Sequence, residues 1–169
     1  MIVIGIDPGT TGAVCVCSDT FGLEIFDTPV DYVVTKSPKT KTGTKTRAEF
    51  DILAMSKLLD HIINRYYNTD AKPIMQVVIE QVGCRPTDGV IQAFNFGFGF
   101  GVWLALLTAK NFTVTKVRPQ AWKKQLGLIG TDKDESRQLA LRLFPLSSEL
   151  FKRKKDHNRA EAALLTQYK

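Results

Sequence analysis

Cysteine and histidine are scarce in this chain, which has three cysteines and two histidines among 169 residues. The histidines, His61 and His157, lie far from the cysteines in the sequence, so the spacing typical of a zinc site is missing. Cys15 and Cys17 lie in an apolar run where we expect buried thiols, and an odd cysteine count does not indicate a disulfide framework. We therefore expect a reducing compartment.

Long hydrophobic runs are also missing. No run approaches the ~18 apolar residues that a membrane span needs, and the chain begins with a strand-like run instead of a charged segment followed by an apolar one. We therefore expect a soluble protein without a membrane partner. Hydrophobic residues still make up 44% of the chain, which excludes wholesale disorder and suits one globular domain.

Acidic residues are too few to balance the basic ones. The chain has 23 Lys and Arg against 17 Asp and Glu, a net charge of +6, and a pI near 9.3. Such a domain favours a polyanionic partner, with nucleic acid first and an anionic membrane second. Because a basic surface can also serve solubility alone, charge by itself does not decide the partner.

Hydrophobic periodicity predicts an alternation of strands and helices. The predicted strands are 2–7, 13–18, 22–26, 74–80 and 112–117, and the predicted helices are 48–67, 87–110, 119–126, 133–144 and 158 to the end. We expect Thr87 or Asp88 to cap the second of these helices. This order is typical of a mixed-sheet α/β domain. Residues 31–47 lack apolar periodicity and are rich in Thr and Lys, so we predict a flexible basic loop there.

Two predicted strands end in a carboxylate, the first in Asp7 and the fourth in Glu80. If these strands are neighbours, both acids lie at one sheet edge, and a helix packed across that edge could add Asp156 and Glu161. Crowded carboxylates repel each other, and a hard divalent cation such as Mg²⁺ or Mn²⁺ holds them ionised. Two such ions ~4 Å apart would bind a phosphodiester and activate water.

Other interpretations of these residues stay open. A single strand-end aspartate is commonly a turn-former or a solvated charge. The turn at residues 7–12 could instead cradle a nucleotide phosphate, as it does at the start of sugar kinases and Hsp70-like ATPases. Those enzymes need a second domain with a second phosphate loop, for which 169 residues leave no room.

Short motifs, in the right order along nearly the whole chain, resemble the RuvC family of Holliday junction resolvases within the ribonuclease H-like superfamily. They are residues 4–9 (Ile-Gly-Ile-Asp-Pro-Gly), 78–81 (Val-Ile-Glu-Gln) and 160–162 (Ala-Glu-Ala). The resemblance is closer to the plastid-type and phage-type branch, through residues 86–89, 119–123, 133–137, 143–145 and 152–155 and the helix that alternates Gly with Phe. It fails mainly across residues 31–47.

The resemblance implies a single nuclease domain over residues 1–169 with a ribonuclease H-like α/β fold, a five-stranded mixed sheet flanked by helices. It implies a homodimeric, Mg²⁺-dependent endonuclease of DNA recombination and repair, which resolves four-way junctions by paired symmetric nicks. Two Mg²⁺ ions per active site are implied, with Mn²⁺ as a substitute and no small-molecule cofactor. The implied setting is the cytoplasm of a bacterium or a phage-infected cell, or an organelle if a transit peptide was trimmed.

By motif position, the resemblance implies that Asp7, Glu80 and Glu161 are catalytic carboxylates that bind the metal. The fourth ligand differs between branches. Bacterial members have an aspartate where this chain has Asn158, and the plastid-type branch has a histidine where this chain has Asp156. We assign the fourth position to Asp156, with His157 as the second choice. An exposed His157 without a role is the competing interpretation.

The basic residues form two groups that we expect to contact DNA phosphates without reading sequence, unless they are simply a solvated charge run. The predicted DNA-binding residues are Lys36, Lys39, Lys41, Lys45, Arg47, Arg85, Lys133, Lys152, Arg153, Lys154 and Lys155. Bacterial RuvC has a phenylalanine wedge where this chain has Gly83, so a wedge here must come from the 80–89 loop or from Phe94. We expect Trp122 in the core.

Two rival functions accompany this interpretation. One is a ribonuclease H-like nuclease that acts on RNA or on branched nucleic acids in general. The other is a catalytically silent module that binds junctions. Four carboxylates that repel phosphate argue against the silent module.

Overall fold

A computed structural model describes residues 1–36, 41, 43–67, 74–84 and 87–169. Its strands are β1 (Ile2–Asp7), β2 (Ala13–Ser18), β3 (Gly22–Asp27), β4 (Val30–Lys36), β5 (Thr44–Phe50), β6 (Met75–Glu80) and β7 (Thr113–Val117). Its helices are α1 (Ile52–Tyr67), α2 (Val90–Ala109), α3 (Pro119–Gln125), α4 (Lys133–Leu143) and α5 (His157–Leu165), with short 3₁₀ segments at Pro145–Phe151 and Lys154–Asp156.

The central sheet has five strands in the order β3-β2-β1-β6-β7. Strands β1, β2 and β3 form an antiparallel meander, while β6 and β7 run parallel to β1. The five-stranded mixed sheet flanked by helices is therefore confirmed. The register pairs Ile6 of β1 with Ile79 of β6, so that the carboxyl ends of these two strands lie side by side.

Each face of the sheet carries its own hydrophobic core. On one face, Ile4 and Ile6 of β1 pack with helices α1 and α2, and Trp103 is the largest side chain there. On the other face, Val78 of β6 packs with helices α3, α4 and α5, and Trp122 is the largest side chain. Each strand can contribute to both cores because successive side chains along a strand point to opposite faces of the sheet.

Glycine in β1 lets helix α5 pack directly on the sheet. A Cβ atom built on Gly5 would lie 2.0 Å from the carbonyl oxygen of Ala162 and 3.1 Å from the Cβ of Leu165. No larger residue therefore fits between β1 and α5 without moving the helix. The consequence is that Glu161, one residue before this contact, is held over the end of β1.

The prediction of a flexible loop at residues 31–47 is wrong for the part of this segment that the structure describes. Strands β4 and β5 pair antiparallel, with Tyr32 opposite Ala48 and Val34 opposite Thr46. The apolar pattern was missing because both faces of most of this two-stranded hairpin are exposed, so alternation has no core to follow. Helix α1 accordingly begins at Ile52, since residues 48–50 belong to β5.

Helix α2 departs from two expectations. It begins after Gly89 without a side-chain cap, so neither Thr87 nor Asp88 caps it. It is also long and apolar enough to cross a membrane by length and composition alone, although polar residues and glycines interrupt its apolar run. A single such helix is weak evidence for a membrane span, because core helices pass the same test. Its residues Trp103 and Leu107 are fully buried in the core.

Candidate active site

Three of the four predicted carboxylates meet at one edge of the sheet. Asp7 is the last residue of β1, and Glu80 is the last residue of β6, its parallel neighbour. Glu161 lies on the first turns of α5, which Gly5 allows to lie against β1. We call these three side chains the acidic trio.

The acidic trio is strongly coupled by charge. Loss of solvent around the Asp7 carboxyl, together with the negative charges of Glu80 and Glu161, raises the pKa of Asp7 to about 7. Burial also raises the pKa of Glu80, as does the charge of Glu161, although a hydrogen bond from Trp122 opposes the shift. Burial first, and the neighbouring carboxylates second, therefore disfavour the ionised forms of Asp7 and Glu80.

Side chains from α3 and α4 hold two members of the acidic trio. The indole Nε1 of Trp122 donates to Glu80 Oε1 at 2.8 Å. Lys123 Nζ lies 2.9 Å from Glu161 Oε1, and Ser136 Oγ donates to the same oxygen at 3.2 Å. Neither Lys123 nor Ser136 was predicted as a site residue from the sequence. Both lie in motifs that carried the family resemblance, and that was their only sequence signal.

The donor chemistry of the acidic trio fits a hard divalent cation. All three side chains offer carboxylate oxygens, which Mg²⁺ and Mn²⁺ prefer. A cation would also relieve the repulsion that raises the pKa of Asp7. Among the described residues, no three His, Cys, Asp or Glu side chains are grouped closely enough to hold a metal ion in this arrangement. The ammonium of Lys123 forms an ion pair with Glu161.

Asp156 does not join the acidic trio. Its side chain is buried and accepts from the backbone N of Arg153 at 2.8 Å and from Arg153 Nε and Nη2 at 3.0 and 2.8 Å. Burial alone would raise the pKa of Asp156, but the bonds from Arg153 hold it below its ordinary value. The assignment of Asp156 as the fourth ligand stays a prediction, and in this structure its carboxylate closes the 3₁₀ turn that precedes α5.

His157 and Asn158 lie at the start of α5, beside the turn that follows β1. Asn158 Nδ2 donates to the carbonyl oxygen and to Oγ1 of Thr11, at 2.7 and 3.0 Å. His157 Nδ1 lies 3.5 Å from the carbonyl oxygen of Lys154. Both residues line a cavity of about 440 Å³ together with Thr10 and Thr11. Asn158 therefore ties the helix to the turn after Asp7, whereas His157 contacts the segment just before its own helix.

Comparison with solved structures identifies the architecture. T. thermophilus RuvC in complex with a Holliday junction substrate superposes with a TM-score of 0.59, over 98% of this chain and 92% of that one, at 19% sequence identity. The chain has the RuvC fold. The ribonuclease H-like fold predicted from the motifs is thereby confirmed.

A curated protein also matches by sequence. The chloroplastic Holliday junction resolvase MOC1 of Chlamydomonas reinhardtii is 39% identical over 98 residues, which are 57% of this chain. The chain spans about a tenth of the length of that relative. No family model matches the chain. The resemblance to RuvC-type resolvases and to their plastid-type branch is confirmed by these two similarities.

On this RuvC fold, the described members of the predicted DNA-binding set are exposed or paired with acidic side chains. Exposed ammonium groups on the β4–β5 hairpin and before α5 belong to Lys36, Lys41, Lys45, Lys154 and Lys155. Three others contact acidic side chains: Arg47 pairs with Glu49, Lys152 with Glu149, and Arg153 with Asp156. Lys39, Arg85 and the side chain of Lys133 lie outside the described residues.

Part of the segment expected to supply a wedge is exposed to solvent. Gly83 is exposed, and a Cβ atom built on it would meet no heavy atom of the described residues within 4 Å. Phe94 on α2 is 68% exposed and stacks on Phe98, with ring centroids 6.1 Å apart. Both phenylalanines are exposed on the outer face of α2.

Proposed function

We propose that this chain is a structure-selective DNA endonuclease that resolves four-way junctions by paired symmetric nicks. The observation that carries the proposal is the acidic trio, whose charges are coupled at the carboxyl edge of a RuvC fold. The substrate class is supported by the relatives: one is named a Holliday junction resolvase, and the other was solved with a Holliday junction substrate.

Asp7, Glu80 and Glu161 are the residues that would hold a divalent cation in this proposal. Bound there, Mg²⁺ or Mn²⁺ supplies Lewis-acid activation of water and neutralises charge on the phosphodiester. An occupancy of two ions per site is part of the same proposal. Serine, tyrosine and cysteine are not part of the trio, so we propose hydrolysis by water and no covalent intermediate between protein and DNA.

The protein's own side chains prepare this site. Trp122 and Ser136 donate to Glu80 and Glu161, which limits the rotation of both carboxylates before DNA binds. Lys123 holds a positive charge 2.9 Å from Glu161 Oε1, and we propose that this ammonium contacts a phosphate oxygen of the DNA while it stays paired with Glu161. A preorganised charge of this kind needs no rearrangement during the reaction.

The basic surface is proposed to bind the duplex arms. The β4–β5 hairpin carries the exposed lysines Lys36, Lys41 and Lys45, and Lys154 and Lys155 precede α5, which carries Glu161. Contacts of this kind release counterions, so junction affinity should fall steeply as salt concentration rises. Because they touch phosphates, they would position the junction without reading its sequence.

We also propose that two copies of the chain form a homodimer through helix α2. The helix has no charged side chain, and its outer face combines exposed Phe94 and Phe98 with Gly97 and Gly101. A Cβ atom on either glycine would meet nothing within 4 Å among the described residues, so a second helix can approach this face closely. Two copies related by a two-fold axis would present two equivalent active sites to a symmetric junction.

We also propose that the protein works in an organelle. The relative named as chloroplastic supports the organellar alternative over the bacterial cytoplasm.

The test is Mg²⁺-dependent cleavage of an immobile four-way junction by the wild-type chain and by Glu80→Gln. We expect paired nicks on opposite strands from the wild type, and none from the variant or on linear duplex. Cleavage of an RNA–DNA hybrid in place of the junction would favour the ribonuclease H-like rival. Tight junction binding without cleavage by either protein would favour the silent binding module.

A further inference from the structure

We propose that Trp122 is a positioning residue for Glu80, and that helix α3 orders the acidic trio through it. The indole N–H fixes the direction of one carboxylate, and the face of the ring supports the lysine that pairs with another. This inference rests on the proposed function, since it names the residue that prepares the same site.

The contact between Trp122 and Glu80 is rigid on the tryptophan side. Trp122 is fully buried and packs in the same core cluster as Val78 and Val117, next to the ends of β6 and β7. Helix α3 starts at Pro119, two residues after β7 ends, which keeps the helix close to the sheet edge. An indole has one donor and no acceptor, so a packed ring can direct its hydrogen bond to one partner only.

The neighbouring residue extends this contact to the second acid. Lys123 Nζ lies 5.0 Å from the centroid of the Trp122 ring, within the range of a cation–π interaction. The same nitrogen lies 2.9 Å from Glu161 Oε1. Two consecutive residues of a seven-residue helix therefore contact two members of the acidic trio. Helix α3 can thus fix the positions of Glu80 and Glu161 relative to each other.

The second tryptophan of the chain shows that burial alone does not produce such a bond. Trp103 is also fully buried, on the opposite face of the sheet, and its Nε1 has no hydrogen-bond partner among the described residues. The chain has two tryptophans, and one indole donates to a member of the acidic trio while the other does not. Trp103 is therefore a matched internal control.

The first experiment compares Trp122→Phe with Trp103→Phe in the junction cleavage assay. Phenylalanine keeps an aromatic ring in the core and removes only the donor and part of the volume. We expect Trp122→Phe to lower kcat about 10- to 100-fold, the usual cost of losing a partner that orients a metal ligand, and to leave KM for the junction nearly unchanged. Trp103→Phe should keep the wild-type kcat. A Trp122→Phe protein that folds and keeps the wild-type kcat overturns the inference.

The second experiment does not depend on cleavage. A ¹⁵N-labelled wild-type chain should give two indole N–H signals, which the two Phe variants assign. We expect Mg²⁺ to shift the Trp122 signal and leave the Trp103 signal in place, and we expect Glu80→Gln to abolish that response. If Mg²⁺ does not change the chemical shift of the Trp122 signal, the inference is overturned, even if Trp122→Phe does not fold. If the signal responds but wild-type protein cleaves no junction, the proposed function fails and the positioning role of Trp122 stands.

Discussion

Gly5 offers the most direct test of how the fold places Glu161. Replacing it by alanine puts a Cβ atom 2.0 Å from the carbonyl oxygen of Ala162, far inside any contact that real Cβ atoms make. The obstacle is backbone rather than a flexible side chain, so the strand or the helix must move by more than an ångström. Helix α5 cannot retreat freely, because its residues from Ala162 to Leu165 are all fully buried.

The magnitude follows from this overlap. Overpacking a core typically costs about 1–3 kcal/mol, and a backbone obstacle places Gly5→Ala at the upper end of that range, about 3 kcal/mol. With a urea m-value of about 2 kcal/mol/M, the midpoint of unfolding should fall by about 1.5 M. Because α5 carries Glu161, the folded fraction of the variant should also lose junction cleavage.

The assay is urea unfolding followed by circular dichroism, with Gly83→Ala as the matched control. A Cβ atom on Gly83 meets nothing within 4 Å among the described residues, so the control should stay within about 0.5 kcal/mol of the wild type. A Gly5→Ala chain as stable as the control would refute the close packing of α5 on β1. The position of Glu161 over the end of β1 would then need a cause other than this glycine.

Three further predictions test other parts of the molecule. Glu161→Gln should lower the junction cleavage rate at least 100-fold, whereas Asp156→Asn should keep it within a factor of ten; equal losses would return Asp156 to the catalytic set. Phe94→Asp should convert a dimer into an 18.9 kDa monomer in light scattering, and a dimer that survives would place the interface elsewhere. Arg159 lowers the pKa of Asp27, with Nε 2.6 Å from Oδ1. The stability this pair adds should be present above the ordinary pKa of 3.8 and lost as pH falls through the lowered value, so wild type and Asp27→Asn should differ in urea unfolding near neutral pH and converge in acid.

The sequence predicted the positions of the strand-end acids correctly, because local pattern controls them. Asp7 and Glu80 end apolar strands, and a strand-end carboxylate lies at a sheet edge whatever the rest of the chain does. Prediction from the sequence failed at residues 31–47, because a hairpin that is exposed on both faces has no apolar alternation to detect. Strands β4 and β5 can therefore be recognised only from the way they pair in the structure, not from the sequence pattern.

What the sequence alone determined about this protein is its fold class, the strand-end acids and the basic charge that favours a polyanion. Each of these three properties depends either on composition or on residues that are near one another in the chain. Both can be taken directly from the sequence. The tertiary structure decided which acids lie near one another. It turned Asp156 toward Arg153, brought Lys123 to Glu161, and gave the buried Trp122 a second role at Glu80. In the last two cases the partners lie 38 and 42 residues apart, and a hydrogen bond or ion pair across that separation exists only once the sheet and its helices have packed.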